Sequence, residues 1–250
     1  MSDIVTERSG NILSIQLNRP AKKNAMTSSM YITMAELLNG AAKDDRIHVV
    51  LWHGAGNSFS AGNDIEDFVK NPPGAGESPQ SQLIQALINF EKPLVAAVQG
   101  AAIGGGTTML AHCDFVYAGE SAKFQMPFVN LALVPEFGSS YLLPLRFGYA
   151  RAAELILLGK AFDASRAAEL GLVTQVVPDQ SLLATATETA RALAAKPAAA
   201  VQASKRLMKR ALREPLEQAV KLENEVFAER VRSDDAKQAF AAFFAKRQPA

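Results

Sequence analysis

Short apolar, β-branched-rich runs alternate with helix-periodic stretches through the first half of the chain, and this alternation confines it to an α/β core. Residues 47–52 (Ile-His-Val-Val-Leu-Trp), 94–98 (Leu-Val-Ala-Ala-Val) and 114–117 (Asp-Phe-Val-Tyr) read as buried strands. Ahead of them, residues 4–8 and 12–17 flank the turn-prone Ser9-Gly10-Asn11, which predicts an opening hairpin. Ser28 precedes Met30, Tyr31, Met34, Leu37 and Leu38 at helical spacing, with Asn39-Gly40 as the stop. A second, glycine-opened helix is predicted over residues 104–111, and a mobile surface loop over the Pro- and Gly-rich residues 71–79. From Tyr149 onward the periodicity is helical, with segments at 151–158, 164–170, 181–195, 198–212, 215–231 and 233–246.

A chain of 250 residues, 48% apolar and 20% charged, is ample for one large core. The net charge of +1 supplies no general attraction to nucleic acid or anionic membrane, so neither is expected as a partner. Cys113 is the only cysteine, which excludes an intrachain disulfide and a cysteine-based zinc site. A reducing, cytoplasmic setting is expected, since the first residues hold no apolar run of signal-peptide length and the last residues no Ser-Lys-Leu address.

The chemistry centres on Val134-Pro135-Glu136-Phe137-Gly138-Ser139-Ser140, one carboxylate in an apolar, helix-opening segment downstream of Gly104-Gly105-Gly106. A carboxylate raised in pKa by apolar walls, beside N–H groups aimed at a developing oxyanion, is the equipment of a general base. A second strand-to-helix turn, Phe59-Ser60-Ala61-Gly62-Asn63-Asp64, offers another amide at Asn63. Each feature also has a plain structural use. Pro135-Glu136 suits the first turn of a helix, three glycines suit tight helix–sheet packing, and Asn63 or Asp64 suits a helix cap. His48, His53 and His112 show no ligand spacing, so no metal is assigned; His112, at a helix end, is expected as a surface or dipole-satisfying residue rather than a base. No Gly-x-Ser-x-Gly elbow is present, which argues against a serine hydrolase.

Taken together, Asn18-Arg19-Pro20, Phe59-Ser60-Ala61-Gly62-Asn63-Asp64, Gly100-Ala101-Ala102-Ile103-Gly104-Gly105-Gly106, Cys113-Asp114 and Ala168-Glu169-Leu170-Gly171-Leu172-Val173 resemble the enoyl-CoA hydratase/isomerase, or crotonase, family. The resemblance implies a spiral of strand-strand-helix repeats over residues 1–195. It also implies a helical C-terminal region, 196–250, that builds a homotrimer or a dimer of trimers; Phe227, Phe240, Phe243 and Phe244 on those last helices suit either burial against a neighbouring subunit or plain intrachain packing, the two readings standing level. Acyl-CoA thioesters are the implied substrates, with coenzyme A arriving as part of the substrate and no separate cofactor. Asn63 and Gly105 are implied as the two amide donors to the thioester oxygen.

The hydratases of this family use two glutamates, and their positions fall here on Thr108 and Phe128. Adding water across a double bond usually needs two acid/base groups, whereas a 1,3-proton shift needs one. Met126-Pro127-Phe128-Val129-Asn130-Leu131 and Pro135-Glu136-Phe137-Gly138-Ser139-Ser140-Tyr141 look most like the monofunctional Δ3,Δ2-enoyl-CoA isomerases, as does Ala61-Gly62-Asn63-Asp64. That branch implies Glu136 as the proton shuttle and Ala61 beside the substrate. Phe68, Phe128 and Phe137 are candidate walls of an acyl pocket. Arg19, Lys22 and Lys246 are candidate partners of the coenzyme A phosphates, Lys246 acting across a subunit boundary. Hydration, dienoyl-CoA isomerisation, chemistry on an aromatic-derived acyl-CoA and a catalytically idle acyl-CoA-binding subunit are the competing readings.

Overall fold

The structure, a computed structural model, describes residues 2–72 and 77–245. Lys246 and part of the predicted 71–79 loop, residues 73–76, lie outside the described residues.

The chain opens with β1 (Ile4–Ser9) and β2 (Ile12–Leu17), paired antiparallel as the expected hairpin. Helix α1 (Ser28–Lys43) starts at Thr27, whose hydroxyl accepts from the Met30 amide, and runs through Asn39-Gly40 instead of stopping there. Tertiary burial overrides the local stop signal: the inner face continues to Ala41, which is buried. Then come β3 (Val49–Gly54), α2 (Ile65–Lys70), α3 (Pro79–Asn89), β4 (Leu94–Val98), β5 (Ala101–Ile103), the short α4 (Gly105–Thr108), β6 (Phe115–Gly119) and β7 (Lys123–Gln125). The second half holds α5 (Ser139–Phe147), α6 (Tyr149–Leu158), β8 (Phe162–Asp163), α7 (Ala164–Glu169), β9 (Gln175–Val177), α8 (Leu182–Ala194), α9 (Ala198–Arg230) and α10 (Asp234–Ala245).

The main sheet has strand order β1-β2-β3-β4-β6-β9 and is parallel beyond the hairpin. Its central strands are covered on one face by the main core, including Trp52, Val50 and Ala96, and on the other by α8 through Leu182, Ala186 and Ala190. Burial on both faces is why these strands read as unbroken apolar runs. After β4 and β6 the chain turns out of this sheet into a second, β5-β7-β8, and Ser60 after β3 bridges Ala102 beside it. Each turn of the spiral is thus a strand, a second short strand segment and a helix. The strands of the second sheet were not legible in the sequence, because two or three residues carry no measurable period.

Residues 198–230 form one helix of 33 residues, not the two predicted around Pro215. Pro215 is exposed, so water can satisfy the carbonyl that its missing N–H releases. Leu216, Val220 and Phe227 carry the buried stripe onward past it. Among the described residues no helix is long and apolar enough to cross a membrane.

Candidate active site

Two amides are freed by the way the strands end. After β3 the chain returns past Met26, whose amide donates to the Gly62 carbonyl (2.8 Å) and whose carbonyl accepts from the Asp64 amide (2.8 Å). In such a parallel bridge the residue between points its own amide to the other side, so that of Asn63 faces away from Met26. Gly62 makes this approach possible: its φ is +82°, and a Cβ there would stand 2.6 Å from the Ile103 carbonyl oxygen. The second amide belongs to Gly105, in the first turn of α4, where no helical acceptor exists. Neither amide hydrogen-bonds to a partner among the described residues. Capping of α2 is done by Asp64, which accepts from the Glu66 and Asp67 amides at 3.1 and 3.3 Å.

Glu136 precedes α5 rather than opening it, since the helix starts at Ser139; its position is not that of a first-turn acid. Its side chain is buried, and its Oε1 has no hydrogen-bond partner among the described residues. Burial, reinforced by the nearby Glu223 carboxylate, pushes its pKa from 4.5 to about 8, against a smaller downward pull from the Asn63 side chain. That side chain is in turn held by the Tyr31 hydroxyl, which donates to Asn63 Oδ1 at 2.7 Å. The turn that follows is left-handed at both Phe137 (φ 63°) and Gly138 (φ 68°). His112 is buried, against the surface reading of the sequence, and its Nε2–H donates to the Phe137 carbonyl at 2.7 Å. Burial lowers its pKa to about 3, so the ring is a neutral donor and not a base.

Glu136, Asn63, Gly105, Ala61, Phe68, Phe128 and Lys22 all line one cleft of about 420 Å³. Lys23, for which the sequence offered no local signal, lines it too, and so do Phe227 and Phe243: of the late phenylalanines, Phe227 and Phe240 are buried within the chain, edge-on to Phe68. Phe137 is not in the wall as expected: its ring is fully buried behind Gly105, 6.4 Å from those of Tyr31 and His112. Arg19 is also elsewhere engaged, donating to Asp64 Oδ2 at 3.0 Å and to the Ala25 carbonyl, with Asp3 at 3.6 Å. It braces the Asn63 turn rather than presenting a cation to the cleft. Lys22 is exposed and within 3.8 Å of Glu66. Glu223, on α9, is the residue sequence reasoning missed: its carboxylate accepts from the Gly138 and Ser140 amides, both at 2.7 Å. Nothing local separates it from Glu225 and Glu229 in the same charge-rich helix.

A larger cavity of about 580 Å³ lies under α9, beside Phe90, Cys113 and Lys209. Of its two acids, Asp114 is already bound to Lys205 at 2.6 Å and to the Leu94 amide at 2.8 Å, and Glu91 pairs with Arg206 at 3.3 Å. The free amides and the unpartnered buried carboxyl belong to the smaller cleft, which makes that cleft the candidate site.

The chain resembles proteins of known type along its whole length. It is 36% identical over 256 residues to 1,2-epoxyphenylacetyl-CoA isomerase of Escherichia coli strain K12, covering 100% of this chain and 98% of that protein. It is 37% identical over 253 residues to enoyl-CoA hydratase EchA19 of Mycobacterium tuberculosis, covering 99% and 95%. It is 36% identical over 251 residues to human enoyl-CoA delta isomerase 2, covering 98% of this chain and 63% of that one. The solved structure of Pseudomonas aeruginosa OdaA superposes with a TM-score of 0.95 at 44% identity, covering 97% of this chain and 99% of that one. The sequence model described as enoyl-CoA hydratase/isomerase matches residues 7–250, and with this spiral fold and cleft the chain belongs to the enoyl-CoA hydratase/isomerase family.

Proposed function

We propose that the protein is an isomerase that moves the double bond of a 3-enoyl-CoA to the 2-position by a single-base 1,3-proton transfer. The thioester oxygen sits between the Asn63 and Gly105 amides, and the Glu136 carboxylate takes a proton from C2. The C–H electron pair flows into a dienolate whose oxyanion the two amides stabilise; such a donor is typically worth about 2.7–4 kcal/mol. Glu136 then returns the proton at C4, which leaves the double bond between C2 and C3 and the carboxylate regenerated. Phe128 closes the cleft against water, which would otherwise protonate the dienolate at random.

The observation that supports this reading is the lone buried carboxyl with a free oxygen beside Gly105. Of the other acids lining the cleft, Asp64 is tied to Arg19 and the α2 amides, and Glu66 is exposed. Thr108 turns its hydroxyl to the Gly104 carbonyl at 3.3 Å, and Phe128 has only a ring to offer. A second reading, the same proton transfer on a ring-bearing acyl-CoA, is favoured by the phenyl-rich wall of Phe68, Phe128, Phe227 and Phe243. The relative named 1,2-epoxyphenylacetyl-CoA isomerase is in keeping with it.

Lys22, with Lys23 beside it, suits the coenzyme A phosphates, and Lys246 remains a proposed contributor from a neighbouring subunit. A homotrimer or dimer of trimers is proposed with it. Leu207, Met208 and Leu222 on α9 are 61–73% exposed and suit such a contact. The direct test is incubation with 3-enoyl-CoA, read as the absorbance of the conjugated 2-enoyl thioester. Rapid formation of 3-hydroxyacyl-CoA from 2-enoyl-CoA, at a rate comparable with isomerisation, would overturn the single-base account.

A further inference from the structure

We propose that Glu223 is a positioning residue of the site: as a carboxylate it gathers the Gly138 and Ser140 amides and so fixes, from the C-terminal helix, the segment that presents Glu136 to Gly105. This rests on the reading of Glu136 as the proton carrier.

The segment needs holding. It lies between β7 and α5 without a strand partner among the described residues, and it turns through two consecutive left-handed residues, Phe137 and Gly138. A non-glycine residue there costs roughly 1 kcal/mol. The N-cap of α5 is Gly138, which has no side chain to accept from the first-turn amides. Glu223 supplies the missing cap from 85 and 83 residues away in sequence. The approach is close, for any side chain on Gly138 would strike Leu216 of the same helix. Two turns beyond Glu223, Arg230 Nε donates to the Ala132 carbonyl at 3.2 Å. Helix α9 therefore grips the segment at 132 and again at 138–140, while His112 holds Phe137 from another side. Glu136 is the one side chain between these grips whose acid oxygen is left free.

A carboxylate is the side chain this task requires. The two N–H donors each reach a different oxygen, Gly138 to Oε2 and Ser140 to Oε1, and a glutamine in that place would turn its NH₂ group toward one of them. A buried acid without such bonds would be costly, so its presence in an otherwise apolar stripe of Leu216, Val220 and Phe227 points to them. Burial raises the pKa of Glu223, the bonds from Ser140 and Gly138 pull it back down toward the charged form, and that charge in turn raises the pKa of Glu136 from α9. The other groups facing Glu136 are the Tyr31 hydroxyl from α1 and the Asn63 side chain, with Lys22, Lys23, Asp64 and Glu66 along the cleft. Neutral His112 and Arg230 bind only the backbone of its segment.

Glu223→Gln removes one acceptor and the charge at constant size. Read at a pH above the Glu136 midpoint, where its ionisation no longer limits the rate, kcat is expected to fall about tenfold to a hundredfold, the order of loss caused by misplacing a reacting group by about 1 Å, with KM changed by less than about twofold. The midpoint of Glu136, followed by NMR of isotope-labelled glutamate carboxyls and assigned by its loss in Glu136→Gln, should move down from about 8. Glu223→Asp, which keeps the charge, should recover that midpoint. A residue that merely fills space would lower Tm in these variants without moving it. Wild-type kcat and an unmoved midpoint in Glu223→Gln would overturn the proposal. Should Glu223→Gln fail to fold, the wild type decides: a neutral Glu223 at pH 7, or fast hydrogen exchange at the Gly138 and Ser140 amides, overturns it. A shifted Glu136 midpoint in a protein that converts no 3-enoyl-CoA would sink the isomerase reading and leave the role of Glu223 standing.

Discussion

Gly105 and Glu136 face each other so closely that a Cβ on Gly105 would stand 2.9 Å from Glu136 Oε1 and 3.2 Å from the Tyr31 hydroxyl. One residue thus offers a free amide to the cleft and, by lacking a side chain, leaves room for the acid. The neighbouring Gly106 is a glycine for another reason, since a Cβ there would meet the Ser60 carbonyl oxygen at 2.8 Å.

Gly105→Ala should fold, because the two atoms its methyl crowds are the ends of the Glu136 and Tyr31 side chains and the Phe137 ring stands at an ordinary 3.4 Å, and should lose most of its activity. Displacing the acid and tilting the donor amide together is expected to cost about 10²-fold in kcat or more. Initial rates, with circular dichroism to verify the fold, check this.

Glu136→Gln retains the size of the side chain and removes the base. The expected fall in kcat is about 10²–10⁴-fold with KM little changed, because the lost interaction exists in the transition state and not in coenzyme A binding. Near-wild-type turnover would leave Glu136 as a packing residue.

Activity should rise with pH through a midpoint near 8, since Glu136 must be ionised to accept the C2 proton. Stability runs the other way. Folding raises this pKa from 4.5 to about 8, so between those values the native state holds more protons than the unfolded chain. The stabilisation is full below 4.5, declines as pH rises and is gone above about 8. Glu136→Gln lacks this penalty, and at pH 8.5 it should resist urea better than the wild type by a few kcal/mol in order of magnitude, with little difference near pH 4.

Arg19 and Lys22 should separate bracing from binding. Arg19→Met frees Asp64 and loosens the Asn63 turn, so Tm and kcat should both fall. Lys22→Ala breaks only an exposed ion pair, worth at most about 1 kcal/mol, and should raise KM for the acyl-CoA while kcat and Tm stay unchanged.

Light scattering at micromolar concentration should return the mass of three or six chains. A fully active monomer would contradict the proposed contact through Leu207, Met208 and Leu222, and with it the cross-subunit role of Lys246.

Strands β3, β4 and β6 were visible in the sequence because burial on both faces writes itself as an unbroken apolar run, and the major helices because one buried stripe repeats every turn. Glu136, Asn63 and Gly105 were visible as types of chemistry, an acid among apolar residues and glycine turns after strands. Their convergence on one substrate was implied by the family resemblance and by nothing local; not legible at all were the buried position of His112, the engagement of Arg19 with Asp64, the withdrawal of Phe137 behind Gly105 and the grip of Glu223 on Gly138 and Ser140. Local sequence encodes periodicity, turns and caps over a few residues. The free oxygen of Glu136 and its raised pKa depend instead on which groups, dozens of residues away, displace water from around it, and only the packing of α1, α4 and α9 against that segment decides this.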